Sequence, residues 1–208
     1  MGTLIFDFDG TLVDSLDAFV DSARKLSGTF GYDPNTNVET LRGKSPLQVL
    51  RGEFHWSWIK IGRFLRAMRP LVYAGVRKLP LHQGMKAALL KLQKRHTIGV
   101  LTSNSADAVR EVLDREGIQV SFIHGGGSLF GKDVALRRLF KQQNILRDQA
   151  VYIGDEIRDI EACRKAGIRI IAVSWGLNDQ ASLVAAKPDS LANNPSQLMQ
   201  LTDAVFRS

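Results

Sequence analysis

Short apolar runs alternate with amphipathic stretches along most of this chain. Five runs have the length and composition of buried strands, at residues 4–8, 97–102, 120–125, 150–155 and 168–175. Helical periodicity occupies four stretches beside them, at residues 84–95, 106–117, 133–143 and 158–167. Gly117 and Gly167 stand where a glycine commonly ends a helix. The alternation predicts parallel strands joined by right-handed helical crossovers, which is a doubly wound α/β sheet.

Residues 16–79 break this alternation and carry no apolar run of comparable strand character. The pattern up to Gly31 predicts one helix, and residues 45–75 predict further helices interrupted by internal glycines. We therefore expect a helical cap of residues 16–79 inserted into a core formed by residues 1–15 and 80–208. Such an insertion lies over the carboxyl ends of the strands, where open α/β sheets bind ligands. A helix pair packed on one face of the sheet is the alternative.

Composition and cysteine content are those of a cytosolic globular protein. Of the 208 residues, 44% are hydrophobic and 24% are charged, which is the balance of an ordinary soluble domain. No apolar run reaches the roughly 18 residues of a membrane-spanning helix, and the N-terminus has no signal-peptide pattern. The single cysteine, Cys163, excludes an internal disulfide and fits a reducing compartment. We expect a cytoplasmic protein without a membrane partner, either a monomer or a homodimer, in which Cys163 is buried as a small hydrophobe.

The formal net charge of +7 is typical of a protein with a nucleic-acid partner or an anionic small substrate, and a solvated basic face is the alternative. The basic residues are spread along the chain, with a denser set at Lys60, Arg63, Arg66, Arg69, Arg77 and Lys78. Neither a zinc-ligand spacing nor an RNA-recognition signature accompanies them. A small anionic substrate is therefore favoured over nucleic acid, and salt-dependent retention on a polyanion column would separate the two.

Polar side chains follow three of the predicted strands, at the point where each strand ends. They are Asp7, Asp9, Gly10 and Thr11 after the first strand, Thr102, Ser103 and Asn104 after the second, and Asp155, Glu156 and Asp159 after the fourth. A lysine, Lys132, precedes the helix that leads to the fourth strand. Because the carboxyl ends of parallel strands meet at one edge of a sheet, we expect these side chains to converge.

These residue types are suited to phosphoryl chemistry. Carboxylates such as Asp7, Asp155 and Asp159 are the hard oxygen ligands that Mg²⁺ prefers. One carboxylate can attack phosphorus, and a second, two residues along the chain, can protonate the leaving oxygen. Hydroxyl and backbone N–H groups can hold phosphate oxygens, while a lysine neutralises their charge. Gly10 permits the tight turn that such a site needs beside its nucleophile.

The strings "DFDGTLVDS", "VLTSN" and "GDEIRD", with a lone lysine before a helix, resemble the four motifs of the haloacid dehalogenase-like hydrolase superfamily. The resemblance covers nearly the whole chain, and the first and fourth motifs are highly specific in this order and spacing. It extends to "AKPDSLANNPSQL", which is similar to the family's last short strand and helix. The helical insertion after the first motif resembles the capped subfamily I, with its phosphoglycolate phosphatase-like members. The resemblance implies a Rossmann-like parallel core with that cap.

The resemblance also implies catalytic roles for four residues. Asp7 is the expected nucleophile, which forms an aspartyl-phosphate, and Asp9 is the expected general acid and base. Thr102 is expected to bind phosphoryl oxygens together with the N–H of Ser103. Lys132 is expected to stabilise Asp7 and the phosphate.

Cofactor and substrate contacts follow from the same resemblance. Mg²⁺ is the implied cofactor, and its implied ligands are Asp7, the carbonyl of Asp9, Asp155 and, directly or through water, Asp159. The implied substrate contacts are Gly10, Ser103, Asn104 and two cap residues suited to a second anionic group, Arg42 and Lys44. Glu156 is expected to support the metal ligands.

Two of these assignments have local alternatives. Lys94 and Lys141 are rivals of Lys132, although both lie inside helical patterns. Asp14 and Ser15 also match the first motif of the family, but capping of the following helix is the better physical role for them.

The predicted function is Mg²⁺-dependent hydrolysis of a small phosphorylated metabolite, a phosphomonoester, through an aspartyl-phosphate intermediate. A carboxylate at Asp9 separates this chain from dehalogenase-like relatives, which have no leaving alkoxide to protonate. Two alternatives remain open: a sugar-phosphate mutase of the same superfamily, and a non-catalytic anion-binding protein on this scaffold. We expect the cap to select the substrate.

Overall fold

The computed structural model describes residues 2–34, 49–126 and 131–206. Arg42 and Lys44 lie outside the described residues, so their role in binding a second anionic group stays a prediction. No helix within the described ranges is long and apolar enough to cross a lipid bilayer.

Six parallel strands form one sheet. They are β1 (Thr3–Phe6), β2 (Thr97–Leu101), β3 (Phe122–His124), β4 (Ala150–Gly154), β5 (Arg169–Val173) and β6 (Ser190–Ala192). Their order across the sheet is β3-β2-β1-β4-β5-β6. Phe6 of the central strand lies opposite Val100 on one side and Ile153 on the other. Since the chain order reverses at β1, the sheet is doubly wound, and the predicted fold class is confirmed.

The described ranges contain eight α-helices. They are α1 (Leu16–Phe30), α2 (Trp58–Val76), α3 (Met85–Leu92), α4 (Ala106–Arg115), α5 (Lys132–Gln142), α6 (Ile157–Ala166), α7 (Gln180–Ala185) and α8 (Pro195–Val205). A π-helical turn at Val49–Glu53 and a 3₁₀ turn at Arg147–Gln149 add to these. The four helices predicted from periodicity are present as α3 to α6. Their ends differ from the predicted ends by up to three residues.

The central strand is buried on both faces, which explains its continuous apolar run. Leu4 and Phe6 join one hydrophobic cluster, whereas Ile5 points into a second cluster with Tyr152 on the opposite face. Cys163 lies in the second cluster and is buried, as predicted. Burial of each large apolar side chain stabilises the fold by about 1.5–3 kcal/mol, so the two clusters fix the sheet between its helical layers.

Helices α1 and α2 pack on each other and enclose a third, separate hydrophobic cluster. Trp56 and Phe64 are buried in it, with their rings edge to face and 5.2 Å between centroids. Gly31 ends α1 in the left-handed conformation (φ 63°), which confirms the predicted end of that helix. The division into a cap and a core is consistent with this separate cluster but stays a prediction.

Helix α2 differs from the prediction of helices interrupted by internal glycines, because it runs without interruption through Gly62. It also continues through Pro70. Its buried residues Ile61, Phe64 and Met68 recur at helical spacing and pack into the third cluster. Gly62 and Pro70 both lie on the exposed side. Packing of the apolar face therefore stabilises the helix despite the low helix propensity of the two residues.

The chain leaves the sheet before α1 and returns to it after α2, and these two connecting segments lie side by side. Val13 pairs with Leu81 in an isolated antiparallel bridge, and the His82 N–H donates to the Leu12 carbonyl at 2.8 Å. The His82 ring also bonds the Gly10 carbonyl, with 3.1 Å between Nε2 and O. Both connecting segments are therefore held by hydrogen bonds at the turn that follows β1.

Candidate active site

The first residues after β1, β2 and β4 are Asp7, Thr102 and Asp155. All three are buried, with at most 3% of their surface exposed. Because β1 lies between β2 and β4, these residues are neighbours at the carboxyl edge of the sheet. This edge is the switch point at which doubly wound sheets bind ligands, and the predicted convergence is present.

Asp7 is held by two donors. The Phe8 N–H donates to its Oδ1 at 2.8 Å, and the Lys132 ammonium donates to its Oδ2 at 2.6 Å. Burial raises the pKa of Asp7 to about 7, an effect that Lys132 opposes and nearby Asp159 reinforces. The carboxylate is therefore oriented, almost dry and dependent on nearby positive charge for its ionisation.

Lys132 is the first residue of α5 and bridges two carboxylates. It donates to Asp159 Oδ1 at 2.5 Å as well as to Asp7. Burial disfavours the ammonium ion, but Asp159 and Asp7 more than offset this and raise the pKa of Lys132. The rival lysines Lys94 and Lys141 are exposed on the surface. The structure therefore brings Lys132, and neither rival, to Asp7.

Asp9 lies just past the strand and contacts the loop that follows β2. The Asn104 side-chain amide donates to both carboxylate oxygens of Asp9 at 3.2 Å, and the Thr102 hydroxyl lies 3.5 Å from Oδ2. Burial raises the pKa of Asp9, while hydrogen bonds from Asn104 and Ser15 oppose the rise. A carboxyl group with a raised pKa retains its proton closer to neutral pH, as a general acid requires.

Ser15 departs from its predicted capping role. It stands at the N-cap position of α1, but its side chain makes no capping hydrogen bond there. Its hydroxyl acts instead on Asp9, where it opposes the rise in the pKa of that carboxyl group. The adjacent Asp14 accepts a hydrogen bond from the Leu16 N–H at 3.4 Å, so it supports the start of the helix.

Asp155 is fully buried and held by two donors that come from distant parts of the chain. The Thr11 hydroxyl donates to Oδ1 at 2.8 Å, and the Leu177 N–H donates to Oδ2 at 2.7 Å. Burial, and then repulsion from Glu156, Asp159 and Asp7, raise the pKa of Asp155 well above its ordinary value.

The donor set fits a divalent cation. Asp7, Asp155 and Asp159 each offer an oxygen atom, and these three atoms lie within 4.8 Å of one another. Lys132 bonds Asp7 and Asp159 but not Asp155, so the repulsion among the three buried carboxylates favours a further cation that accepts oxygen ligands. Asp159 also accepts a hydrogen bond from the Glu156 N–H at 3.2 Å, which orients it at the start of α6. The Glu156 side chain itself is paired with Arg158 at 2.5 Å.

Two glycines allow the backbone to approach Asp155 closely. Gly10 has a φ of 74°, and a Cβ atom there would lie 2.1 Å from Asp155 Oδ2. A Cβ atom at Gly176 would lie 2.3 Å from the Asp155 side chain. Both positions therefore exclude a side chain, and the predicted tight turn at Gly10 is present.

A cavity of about 920 Å³ lies between the helical unit and the strand ends. Asp9, Ser103 and Asn104 line it from the sheet side. Arg66 and Arg69 of α2 line it from the opposite side. The predicted substrate-contact residues of the sheet thus face a space that is bounded by α1 and α2.

Two residues at the site, Leu177 and Trp175, were not predicted from the sequence. The Leu177 N–H bonds Asp155, and the Trp175 indole donates to the carbonyl of Thr11 at 3.1 Å. Thr11 was expected at this edge of the sheet, but its bond to Asp155 was not predicted. The available signal was the run "SWGLN" after the fifth strand, because that strand ends at the same edge of the sheet. Arg158, inside the fourth motif, also lines the cavity.

Comparison with known proteins places the chain in a family. The family model described as haloacid dehalogenase-like hydrolase matches residues 4–173. The chain belongs to this family. The resemblance in the four motifs is therefore confirmed.

Curated relatives cover the full length of the chain. A phosphoglycolate phosphatase of Synechococcus elongatus is 36% identical over 212 residues, which span 100% of both chains. A phosphoglycolate phosphatase of Aquifex aeolicus is 27% identical over 217 residues, which span 98% of this chain and 97% of the relative. The family and these named relatives support a phosphatase, which confirms the predicted enzyme class.

Solved structures share the fold. A predicted phosphatase from Clostridium acetobutylicum superposes with a TM-score of 0.84 at 22% identity, covering 97% of each chain. A haloacid dehalogenase-like family hydrolase from Streptococcus pneumoniae superposes with a TM-score of 0.81 at 23% identity, covering 97% of this chain and 98% of the other. At this identity the two structures support the architecture alone.

Proposed function

We propose that this chain is a Mg²⁺-dependent phosphomonoester hydrolase that acts through an aspartyl-phosphate on Asp7. The observation that carries the proposal is the pairing of Asp7 with Lys132 at 2.6 Å, with a second carboxylate, Asp9, two residues away and bonded to Asn104. A fixed nucleophile, a cation beside it and a separately held proton donor are the parts that such a hydrolysis needs.

In the first half-reaction, an Asp7 oxygen attacks phosphorus and the bond from phosphorus to the ester oxygen breaks. Asp9 donates its proton to the leaving oxygen, so the product leaves as an alcohol. The Thr102 hydroxyl and the Ser103 N–H hold the phosphoryl oxygens, and Lys132 stabilises their negative charge. The raised pKa of Asp9 suits it to this proton transfer.

In the second half-reaction, water attacks the phosphorus of the aspartyl-phosphate and restores the Asp7 carboxylate. Asp9, now ionised, accepts a proton from that water, and inorganic phosphate is released. Asn104 keeps Asp9 in place through both proton transfers, because its amide contacts both carboxylate oxygens.

Asp7, Asp155 and the Asp9 carbonyl are the residues that would hold Mg²⁺, with Asp159 beside them. When bound, the ion supplies positive charge that favours ionised Asp7 and attracts the phosphoryl group. Thr11 and the Leu177 N–H orient Asp155 for this role. Lys132 and the Glu156 N–H orient Asp159.

The proposed substrate is a small phosphorylated carboxylic acid, with 2-phosphoglycolate as the first candidate. Full-length relatives named phosphoglycolate phosphatase support this choice. The helices of residues 16–79 would act as the cap that selects the substrate, since α1 and α2 bound the cavity.

Phosphate release from 2-phosphoglycolate and from p-nitrophenyl phosphate tests the proposal. We expect hydrolysis that requires Mg²⁺, is abolished by a chelator and falls by about 10⁴-fold or more in Asp7→Asn. Asp107→Asn, at an exposed position in the first turn of α4, is the matched control and should retain wild-type activity. Full activity in Asp7→Asn would contradict the nucleophile. Isomerisation of a sugar phosphate without phosphate release would instead support the mutase.

A further inference from the structure

Four arginines line the cavity, and they differ in whether a carboxylate neutralises them. Arg24 pairs with Asp21 at 3.3 Å, and Arg158 pairs with Glu156 at 2.5 Å. Within the described ranges, neither Arg66 nor Arg69 forms an ion pair with an acidic side chain. These two residues therefore present uncompensated positive charge to the cavity.

Arg66, Arg69 and Tyr73 lie on one face of α2, because their spacing of three and four residues matches the helical repeat. All three line the cavity. Arg69 donates to the Tyr73 hydroxyl from Nε at 3.1 Å and from Nη2 at 3.0 Å. Arg69 Nη2 also lies 3.5 Å from the Gly126 carbonyl oxygen. Its hydrogen-bond partners are thus neutral oxygens, which orient the guanidinium without neutralising the charge that an incoming carboxylate would meet.

Tyr73 connects these arginines to the loop after β2. Its hydroxyl donates to the Ser103 carbonyl at 3.3 Å, and Ser103 directly follows Thr102. The Arg69 guanidinium therefore stands two hydrogen bonds away from the loop that would hold the phosphoryl group. In 2-phosphoglycolate, one methylene and the ester oxygen separate the carboxylate from phosphorus, so the two ends of the molecule lie close together.

The charges of the cavity favour one orientation of such a substrate. Asp9, Asp155 and Glu156 line the cavity on the sheet side, where they repel a carboxylate that is not compensated by a cation. Arg66 and Arg69 line it on the side of α2, where they attract one. Arginine also binds carboxylates with two parallel hydrogen bonds, which gives directional selectivity.

We infer that Arg66 and Arg69 form the subsite for the carboxylate of the substrate, with Arg69 positioned by Tyr73. This inference rests on the proposed function, and it names the residues that distinguish a phosphorylated acid from a neutral phosphomonoester. They are specificity-determining residues, since they contact the end of the substrate that does not react.

A matched pair of inhibitors tests the subsite apart from catalysis. 3-Phosphonopropionate replaces the ester oxygen of 2-phosphoglycolate by a methylene, and propylphosphonate has a methyl group in place of the carboxylate. Inhibition constants against p-nitrophenyl phosphate and thermal shifts should both show preference for 3-phosphonopropionate in the wild type. We expect that preference to fall by about tenfold or more in Arg69→Gln and in Arg66→Gln, as for loss of a charge-assisted hydrogen bond. Arg69→Lys should keep part of it.

Arg63→Gln is the matched control, because Arg63 is exposed on the same helix and does not line the cavity. It should keep the full preference. An undiminished preference in both Arg66→Gln and Arg69→Gln, or an equal loss in Arg63→Gln, would overturn the subsite. Equal binding of the two inhibitors by an active wild type would overturn the subsite but leave the phosphatase intact. A wild type that hydrolyses no phosphomonoester would refute the proposed function, and the thermal shifts would still decide the subsite.

Discussion

At the scale of single residues, the site is governed by buried carboxylates and the few groups that compensate them. Asp7, Asp155 and Asp159 offer oxygen atoms within 4.8 Å of one another, and Lys132 bonds two of these residues. Two like charges so close together in a dry site cannot both ionise without a cation. Lys132 is therefore needed for the charge state of Asp7 as well as for its position.

Loss of the lysine should reduce activity strongly. In Lys132→Gln, Asp7 loses its cation and the phosphoryl group loses a positive contact. We expect kcat/KM for p-nitrophenyl phosphate to fall by about 10²–10³-fold, as for removal of one preorganised donor. Lys141→Gln, in the exposed last turn of the same helix, is the control. A wild-type rate in Lys132→Gln, or an equal loss in Lys141→Gln, would show that the lysine has been assigned wrongly.

Some residues of the site could be predicted from the sequence and others could not. Asp7, Thr102 and Asp155 could be predicted because each directly follows an apolar run, and strand ends share one edge of the sheet. The bond between Thr11 and Asp155 joins residues 144 positions apart, and no local pattern encodes it. Ser15 was assigned to a helix cap, because its sequence context fits a cap and the competing carboxylate of Asp9 appears only in three dimensions.

At the scale of elements, the turn after β1 packs directly on Asp155, the first residue after the neighbouring strand β4. The Gly10 N–H donates to the Val13 carbonyl at 2.9 Å, which closes the turn. The positive φ of 74° and the contact with Asp155 both require a residue without Cβ. The turn thus places Asp9 at the cavity, while the backbone of Gly10 packs on Asp155.

Gly10→Ala should therefore reduce stability and activity together. A Cβ atom 2.1 Å from Asp155 Oδ2 forces the turn or the carboxylate to move, and the backbone conformation adds about 1–3 kcal/mol of strain. Gly28→Ala is the control of opposite sign, because Gly28 is exposed inside α1 with no atom near its Cβ position. Alanine should stabilise that helix by about 0.5–1 kcal/mol. Urea unfolding measures both, and a stable, fully active Gly10→Ala would contradict the packing of this turn.

The elements themselves followed the sequence pattern closely, with one informative exception. The core strands and helices could be predicted because the four central strands, β1, β2, β4 and β5, are almost entirely buried and the helices beside them have one apolar face. The continuous α2 could not, because the low helix propensity of its internal glycines led to a prediction of interrupted helices, and Gly62 does not interrupt it. The packing of Ile61, Phe64 and Met68 in the third cluster outweighs that propensity, and this packing is a tertiary effect.

At the scale of the whole molecule, the carboxylates of the site make stability depend on pH. Burial raises the pKa of Asp7 from 3.8 to about 7 and raises that of Asp155 well above its ordinary value. Between pH 4 and pH 7 the folded protein therefore retains protons that the unfolded chain has lost. Proton binding by these two carboxyl groups stabilises the folded state fully at a pH below their pKa in the unfolded chain. This stabilisation is lost as the pH rises through their pKa in the folded protein. Without a divalent cation, these two groups should make the protein less stable as pH rises from about 4 to about 7.

Mg²⁺ should reverse this trend, because it binds ionised carboxylates and must displace their protons at low pH. We expect Mg²⁺ to raise the melting temperature, and to raise it more at pH 8 than at pH 5. A ligand at about a hundred times its dissociation constant stabilises the folded state by about 2.7 kcal/mol, which a thermal melt detects easily. Asp155→Asn removes one carboxylate and keeps its shape, so its Mg²⁺ shift should be smaller at pH 8. KCl at matched ionic strength controls for general screening. An equal shift at both pH values, or an undiminished shift in Asp155→Asn, would mean that Mg²⁺ acts elsewhere on the protein.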